Sequence, residues 1–457
     1  MYTATINKTL FVFFLALVVR VFYAWFFVEA DSLILEDQMM YIQLGKSMVE
    51  TGEFLQSTSD GYTMVTDRVP GYPALLALIY TLFGENNVAV VVVQMIIDSL
   101  TCVIIALIAN LVIPGGFIFA GVVSALNLGM IILSGMILTD TLFLLMFALF
   151  ILFTLRYIKS LEKLQLFLAI SFLCVATLVR STSYYLVLLL PLLLVLFFIW
   201  KHISFKQSMY SLMLYIIVVV MFFGSIHHRN YSEYDSTSWV SQGGKHAIYW
   251  VFPATYQYSG NGSYKEGQDI ARRYIKNSMS NDNISSLPNN PFEGSSYYMK
   301  VAKAALIDLG VLNILHAWSA GMAINFLTPS AANAPVVRAM QHPSFYATPG
   351  NGAFEKLLNY VTNTDSLNYL LIIVVGTIIS LLFFIVSIFG IYKIIKLKRL
   401  KAHDRESFLF LFFIIFYFVT ITGPIVGVKY QMPTDLVMTI FFTYALVNFR
   451  KNINENP

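Results

Sequence analysis

Charged side chains are scarce in this sequence, and a set of them stands where long apolar runs begin or end. Asp37 follows the first run, in EDQMMY. Arg68 sits in DRVPGYP, directly before ALLALIYTLFG. Asp140 (SGMILTDTLF) opens a later run and Arg180 (VRSTSYY) closes another. His227, His228 and Arg229 (HHRNY) and Lys429 with Tyr430 (VKYQMP) mark two more ends. Arg68 carries the strongest local signal. Pro70 pushes Val69 towards extended backbone, and Gly71 with Pro73 tightens the turn. A guanidinium mounted on so stiff a segment is held in one place, which suits planar, two-pronged recognition of phosphate oxygens.

Each residue also has a plainer reading. Asp37 and Asp140 are good helix caps. Arg180 and Lys429 fit as interfacial anchors whose charges reach the headgroups. Asp98 and Gln94, deeper in an apolar run, read as hydrogen-bonding links between neighbouring helices. His227 and His228 are adjacent and point different ways, with no third ligand apparent for a metal. What sets the group apart is its convergence, and that depends on topology.

Of the 457 residues, 58% are hydrophobic and 12% charged, with mean hydropathy +0.70. Soluble domains carry about a quarter charged residues, so the chain reads as an integral membrane protein. The net charge of +4 gives no reason to expect a nucleic-acid partner. Cys102 and Cys174 lie inside apolar runs and read as small buried hydrophobes. Ten runs are long enough to cross a bilayer: 9–28, 86–112, 116–134, 137–157, 164–180, 184–200, 207–225, 366–394, 407–427 and 431–448. The first is read as a retained helix. The segment 73–83 is too short to cross and reads as an interfacial helix, and 302–328, broken by Asp308, Asn313, His316 and Asn325, as a re-entrant or surface helix. Arg156, Lys159, Lys163, Lys201, Lys206 and the six basic residues of KIIKLKRLKAHDRE mark the inner side. Every polar group in the opening set then falls on the outer face. Acids and bases at a membrane border are costly unless paired or functional, so six chain segments meeting there predict a shared pocket. The expected organisation is an N-terminal membrane module (1–225, with outer loop 29–85), an outer domain (226–365) and C-terminal membrane helices (366–457).

The order of these features resembles the polytopic GT-C glycosyltransferases, near glycosyltransferase family 39 with its protein O-mannosyltransferases and lipid A aminoarabinose transferases. EDQMMYIQLGKSMVETGEF matches an acid, a tyrosine four residues on and a Gly-Glu-Phe-like end. DRVPGYPALLALIYTLFG matches a basic-x-Pro-Gly-Tyr-Pro turn. TDTLF, the RNY…SQGG run at 229–244, and KYQMP follow in family order. The similarity is clearest over residues 10–250 and returns at 429–440. Asp140 stands where relatives commonly have Glu, and Lys429 where Arg is commoner. Both departures keep the charge.

The resemblance implies an all-α GT-C-like bundle of about 10 transmembrane helices, with juxtamembrane helices in the first outer loop and a small extracytoplasmic domain. It implies transfer of a sugar, with inversion, from a polyprenyl-phosphate-linked donor to a lipid, glycan or protein acceptor. The setting it implies is the outer side of a bacterial cytoplasmic membrane. On this reading Asp37 is the catalytic base, with Glu36 in reserve. Arg68, Lys429 and Tyr430 bind the donor phosphate. Asp140, Arg180, Arg229, His228 and Tyr72 shape the sugar or acceptor pocket. No cofactor is required. A divalent ion among Asp37, Glu36 and Asp140 is allowed but not demanded by their spacing. Two other readings stand beside this one: an O-antigen polymerase or ligase, and a lipid or solute transporter. The first typically relies on arginines in a late loop, and the second on a site near the membrane midplane.

Overall fold

The computed structural model describes residues 2–28, 36–59, 61–345, 348–350, 353–396 and 402–455. The first part of the chain forms α1 (Tyr2–Phe27), α2 (Glu36–Thr51), β1 (Leu55–Thr58), β2 (Gly61–Met64), α3 (Gly71–Phe83), α4 (Asn87–Val112), α5 (Phe117–Ala125), α6 (Leu128–Ser134), α7 (Asp140–Ser160), α8 (Lys163–Val179), α9 (Tyr184–Trp200) and α10 (Phe205–Tyr234). An outer group follows: α11 (Gly243–His246), α12 (Phe252–Tyr258), α13 (Tyr264–Asn281), α14 (Pro291–Leu309), α15 (Val311–Leu327), α16 (Pro335–Arg338) and α17 (Ala353–Thr362). The chain returns to the bundle through α18 (Leu367–Lys396), α19 (Ala402–Thr422) and α20 (Val428–Glu455). The only β-structure among the described residues is the antiparallel hairpin β1–β2 in the first outer loop, which the sequence pattern does not announce.

Among the described residues eight helices are long and apolar enough to cross a membrane, and α5 with α6 passes the same test as a pair bent by 55°. The chain is thus an integral membrane protein with multiple spans. At 17 residues α8 is only about 25 Å long, yet its two ends lie near opposite ends of α7. It begins just after Lys159, which pairs with Asp404 at the start of α19 at 3.0 Å. It ends at Arg180, which pairs with Asp140. Lys159 also reaches the Leu111 carbonyl at the end of α4 (2.7 Å), and Lys201 pairs with Glu406 at 2.7 Å. These contacts bring the ends of α4 and α7, the end of α9 and the start of α19 together at one end of the bundle.

Lipid is as apolar as leucine, so hydrophobic burial gives these helices little reason to pair, and polar contacts and close packing hold them together. Arg20 of α1 is fully buried. It pairs with Asp98 and donates to the carbonyls of Ala16 and Ala125 (both 3.0 Å) and to Cys102 Sγ (3.2 Å). It thereby joins α1, α4 and the end of α5. Gln94 donates to the carbonyls of Met136 (2.8 Å) and Ser134 (3.2 Å), as its reading as a helix link expects.

The segment 302–328 is not one straight helix. α14 and α15 meet at 99°, and the elbow is Gly310, whose φ of +86° an L side chain rarely adopts. α15 then packs beside the bundle. Trp318 donates to the Thr420 carbonyl (3.1 Å), and Pro329, just beyond α15, lies against Gly376 of α18.

Candidate active site

Asp37 lies in the first turn of α2, and its Oδ2 accepts a hydrogen bond from Lys429 Nζ at 3.0 Å. The partners are 392 residues apart in sequence, and both remain partly open, with side-chain exposures of 46% for Asp37 and 34% for Lys429. Partial burial alone would raise the Asp37 pKa. The charge and hydrogen bond of Lys429 outweigh it, helped by Arg68 and Arg180, so the carboxyl is held below its ordinary 3.8. Lys429 is placed by the outer group. Asn325 of α15 donates to the Ile425 carbonyl and accepts from the Gly427 amide (both 2.9 Å), clamping the loop that leads into α20.

Arg68 sits on the stiff turn read from the sequence. Gly71 explains how that turn reaches the cluster. A Cβ there would lie 2.7 Å from the Leu178 carbonyl oxygen, so only glycine lets the start of α3 close onto the end of α8, beside Arg180. Arg68 Nη1 donates to the Asp67 carbonyl (3.2 Å) and to its half-exposed carboxylate (3.3 Å). Among the described residues its other guanidinium nitrogens make no hydrogen bond, which leaves donors for a ligand.

Asp140 and Arg180 form a second, more buried ion pair. Asp140 is the first residue of α7 rather than its cap; Thr139 occupies the cap position without a side-chain hydrogen bond. The Arg180 guanidinium lies 5.6 Å from the ring centre of Tyr430, and Lys429 Nζ is 5.6 Å from the same ring. Tyr430 therefore spaces the two cations. Arg68, Arg180 and Lys429 face two cluster carboxylates, so the site holds one surplus positive charge before counting Asp67 on the solvent side.

A pocket of ≈ 80 Å³ opens here, lined by the polar Arg180, Lys429, Tyr430, Thr182 and His246 and by the apolar Phe418, Ile421, Ile425 and Pro433. His246 was not singled out from the sequence, where it follows SQGG without a motif of its own. A latch brings it in: the Ser241 amide donates to the Thr66 carbonyl (2.8 Å) and their hydroxyls bond at 2.9 Å, tying its segment to the Arg68 turn.

Other expected members stand apart. Tyr72 is fully buried and donates its hydroxyl to Gln94 Oε1 (2.6 Å), so it supports the site from behind, edge-on to Tyr41 at 5.3 Å, and does not line the cleft. Arg229 donates to Asn230 Oδ1 (2.8 Å), and Asn230 Nδ2 donates to the Ser238 carbonyl. His228 bonds the exposed Ser232 at 3.0 Å. Neither touches the cluster, because the end of α10 presents them to a different neighbour. The side chain of Glu36 lies outside the described residues. Among the described residues no three His, Cys, Asp or Glu side chains converge as a metal-binding group.

The fold and this cluster define a polytopic membrane protein with a charged site at one bilayer face. Residues 67–227, which contain Arg68, Asp140 and Arg180, match the family model described as dolichyl-phosphate-mannose-protein mannosyltransferase. That match covers about a third of the chain. A comparison with curated proteins finds no match. Among solved structures, the chain is similar to the oligosaccharyltransferase AglB of Archaeoglobus fulgidus in complex with an inhibitory peptide and a dolichol-phosphate. The TM-score is 0.49 with 11% identity, covering 98% of this chain and 50% of that one. It is also similar to ArnT of Cupriavidus metallidurans bound to undecaprenyl phosphate, with TM-score 0.35 and 14% identity, covering 98% and 76%. The chain thus spans half the length of the archaeal protein, and both likenesses are too distant to bear on its chemistry.

Proposed function

We propose that this protein transfers a sugar from a polyprenyl-phosphate donor to an acceptor hydroxyl at the extracytoplasmic face of a bacterial cytoplasmic membrane, with Asp37 as base. One observation carries the reading: Asp37, Arg68, Arg180 and Lys429, from four distant chain segments, form one partly open cluster with three cations around the Asp37 carboxylate. The pocket has the mixed lining a lipid phosphate requires, with the cations Arg180 and Lys429 and the apolar Phe418, Ile421 and Ile425.

In the reaction, Asp37 takes the proton from the acceptor hydroxyl as its oxygen attacks the anomeric carbon opposite the phosphate. The carbon–oxygen bond to phosphate breaks, and its electron pair leaves with the prenyl phosphate. Attack from the opposite side inverts the centre. The leaving group gains negative charge, so fixed cations aimed at it stabilise the transition state more than the ground state. Arg68 offers unused donors, and Lys429 both orients Asp37 and faces the pocket. Arg180, neutralised by Asp140, is the more structural of the three.

The test is to incubate purified protein with a panel of C55 prenyl-phosphate-linked pentoses and hexoses and measure free prenyl phosphate. Release by the wild-type chain that is absent in Asp37→Asn supports the proposal. Transport of the lipid without cleavage would favour a transporter instead.

A further inference from the structure

Resting on that reading, we infer that His246 faces the bound phosphate and that its charge state sets how firmly the spent lipid phosphate is held. His246 lines the same small pocket as Arg180 and Lys429. Among the described residues no protein group hydrogen-bonds either of its ring nitrogens. Its ring stacks on Trp250 at 5.9 Å and 18°, which fixes the plane while leaving the nitrogens available.

The local backbone explains why the ring is held there. From Gly243 to Tyr258 the helix is continuous but widens into a π-turn at Ala247–Val251, immediately after His246. Pro253 has no amide hydrogen to give the Tyr249 carbonyl four residues back. That carbonyl accepts from the Tyr264 hydroxyl instead, at 3.2 Å. Widened turns of this kind re-aim the residues that flank them. On the other side, the latch between Ser241 and Thr66 anchors the segment to the Arg68 turn.

The charges facing His246 come from three elements: Arg68 from the turn before α3, Arg180 from the end of α8, and Lys429 with Tyr430 from α20. The carboxylates of Asp37 and Asp140 are engaged by Lys429 and Arg180. Burial, then Arg68 and Lys429, keep the imidazole below its ordinary value of 6.5, so it stands neutral beside a singly charged phosphodiester. Cleavage leaves a phosphomonoester carrying about −1.5 to −2 at neutral pH. That added charge favours imidazolium. Anion binding therefore raises the affinity of His246 for a proton, and by linkage the product is held more tightly as pH falls and released more readily as it rises. At mildly acidic pH a fourth cation joins Arg68, Arg180 and Lys429, and turnover becomes limited by release.

The experiment measures binding of C55 prenyl phosphate to the full chain in nanodiscs at pH 8.0 and 5.5, for wild type and His246→Gln. The lipid's own titration is common to both proteins and cancels in the ratio. The expected result is that acidification tightens binding by about three- to tenfold more in wild type than in the variant. Identical pH dependence in the two proteins overturns the inference. Should His246→Gln not fold, His246→Asn takes its place, and kinetics on wild type give a second reading. A release step should lower kcat at acidic pH while sparing kcat/KM for the donor, and parallel loss of both would count against it. Absence of prenyl phosphate binding by wild type at either pH would sink the functional proposal itself, not only the role of His246.

Discussion

Two ion-pair systems in this molecule use the same residue types to opposite ends. Arg20 and Asp98 sit among α1, α4 and α5 with almost no exposure, and the arginine's donors reach a carboxylate, two carbonyls and a thiol. All three guanidinium nitrogens are engaged, and the one oxygen left without a partner among the described residues, Asp98 Oδ1, is fully buried. In the second system Asp37 and Lys429 remain partly exposed, and among the described residues Arg68 hydrogen-bonds only its neighbour Asp67. The lesson is that buried charge in a membrane protein does not by itself mark chemistry. Unfinished coordination beside an opening does.

The comparison can be broken by mutation. Asp37→Asn should cut transfer by about 10³-fold, within the range for a lost general base, while thermal stability changes little. A large drop in melting temperature would mean the outer pair is structural too. Arg20→Met should leave Asp98 buried and unpaired, costing about 3–5 kcal/mol of stability, while the folded fraction keeps its kcat; lost kcat at full stability would move Arg20 into the mechanism. Arg68→Ala should raise the donor KM by about 10- to 100-fold and Arg68→Lys should recover part of it, because a point charge lacks the two-pronged fork. Tyr72→Phe removes one buried hydrogen bond and should cost about 1 kcal/mol of stability with no change in donor KM.

The pH profile sharpens the same contrast. The Asp37 carboxyl is depressed by Lys429 despite its partial burial, so the base stays ionised at mildly acidic pH. The acid limb of kcat/KM should therefore lie below 3.8, and Lys429→Met should move it upward. Its contribution to stability has the same sign, present above the unfolded value and lost as pH falls through the folded one. A limb unmoved by Lys429→Met would break the link between the two residues.

How much of this was legible in the sequence follows from which signals are local. The eight long apolar helices announce themselves by apolar length, while the orientation expected for them rests on the lysines and arginines of the loops alone. Arg68 was legible because prolines and a glycine constrain its own backbone. The segment 302–328 showed its interruption but not its 99° elbow, since one glycine reads the same in a bend and in a cap. Arg229 and Tyr72 misled because a motif gives position along the chain and not the direction of a side chain. Tyr72 is turned inward by Gln94, 22 residues on. His246 was missed because what brings it to the pocket is a hydrogen bond to Thr66, 175 residues from Ser241, which leaves no trace in composition or spacing.

The central claim is that the cluster of Asp37, Arg68, Arg180 and Lys429, and not the Arg20–Asp98 pair, receives a lipid phosphate. Titrating C55 prenyl phosphate into nanodisc-embedded wild type, Arg68→Ala, Lys429→Met and Arg20→Met tests it directly. One site per chain, weakened about tenfold or more by either outer substitution and unchanged in folded Arg20→Met, is the predicted result. Equal binding by wild type and both outer variants would contradict it.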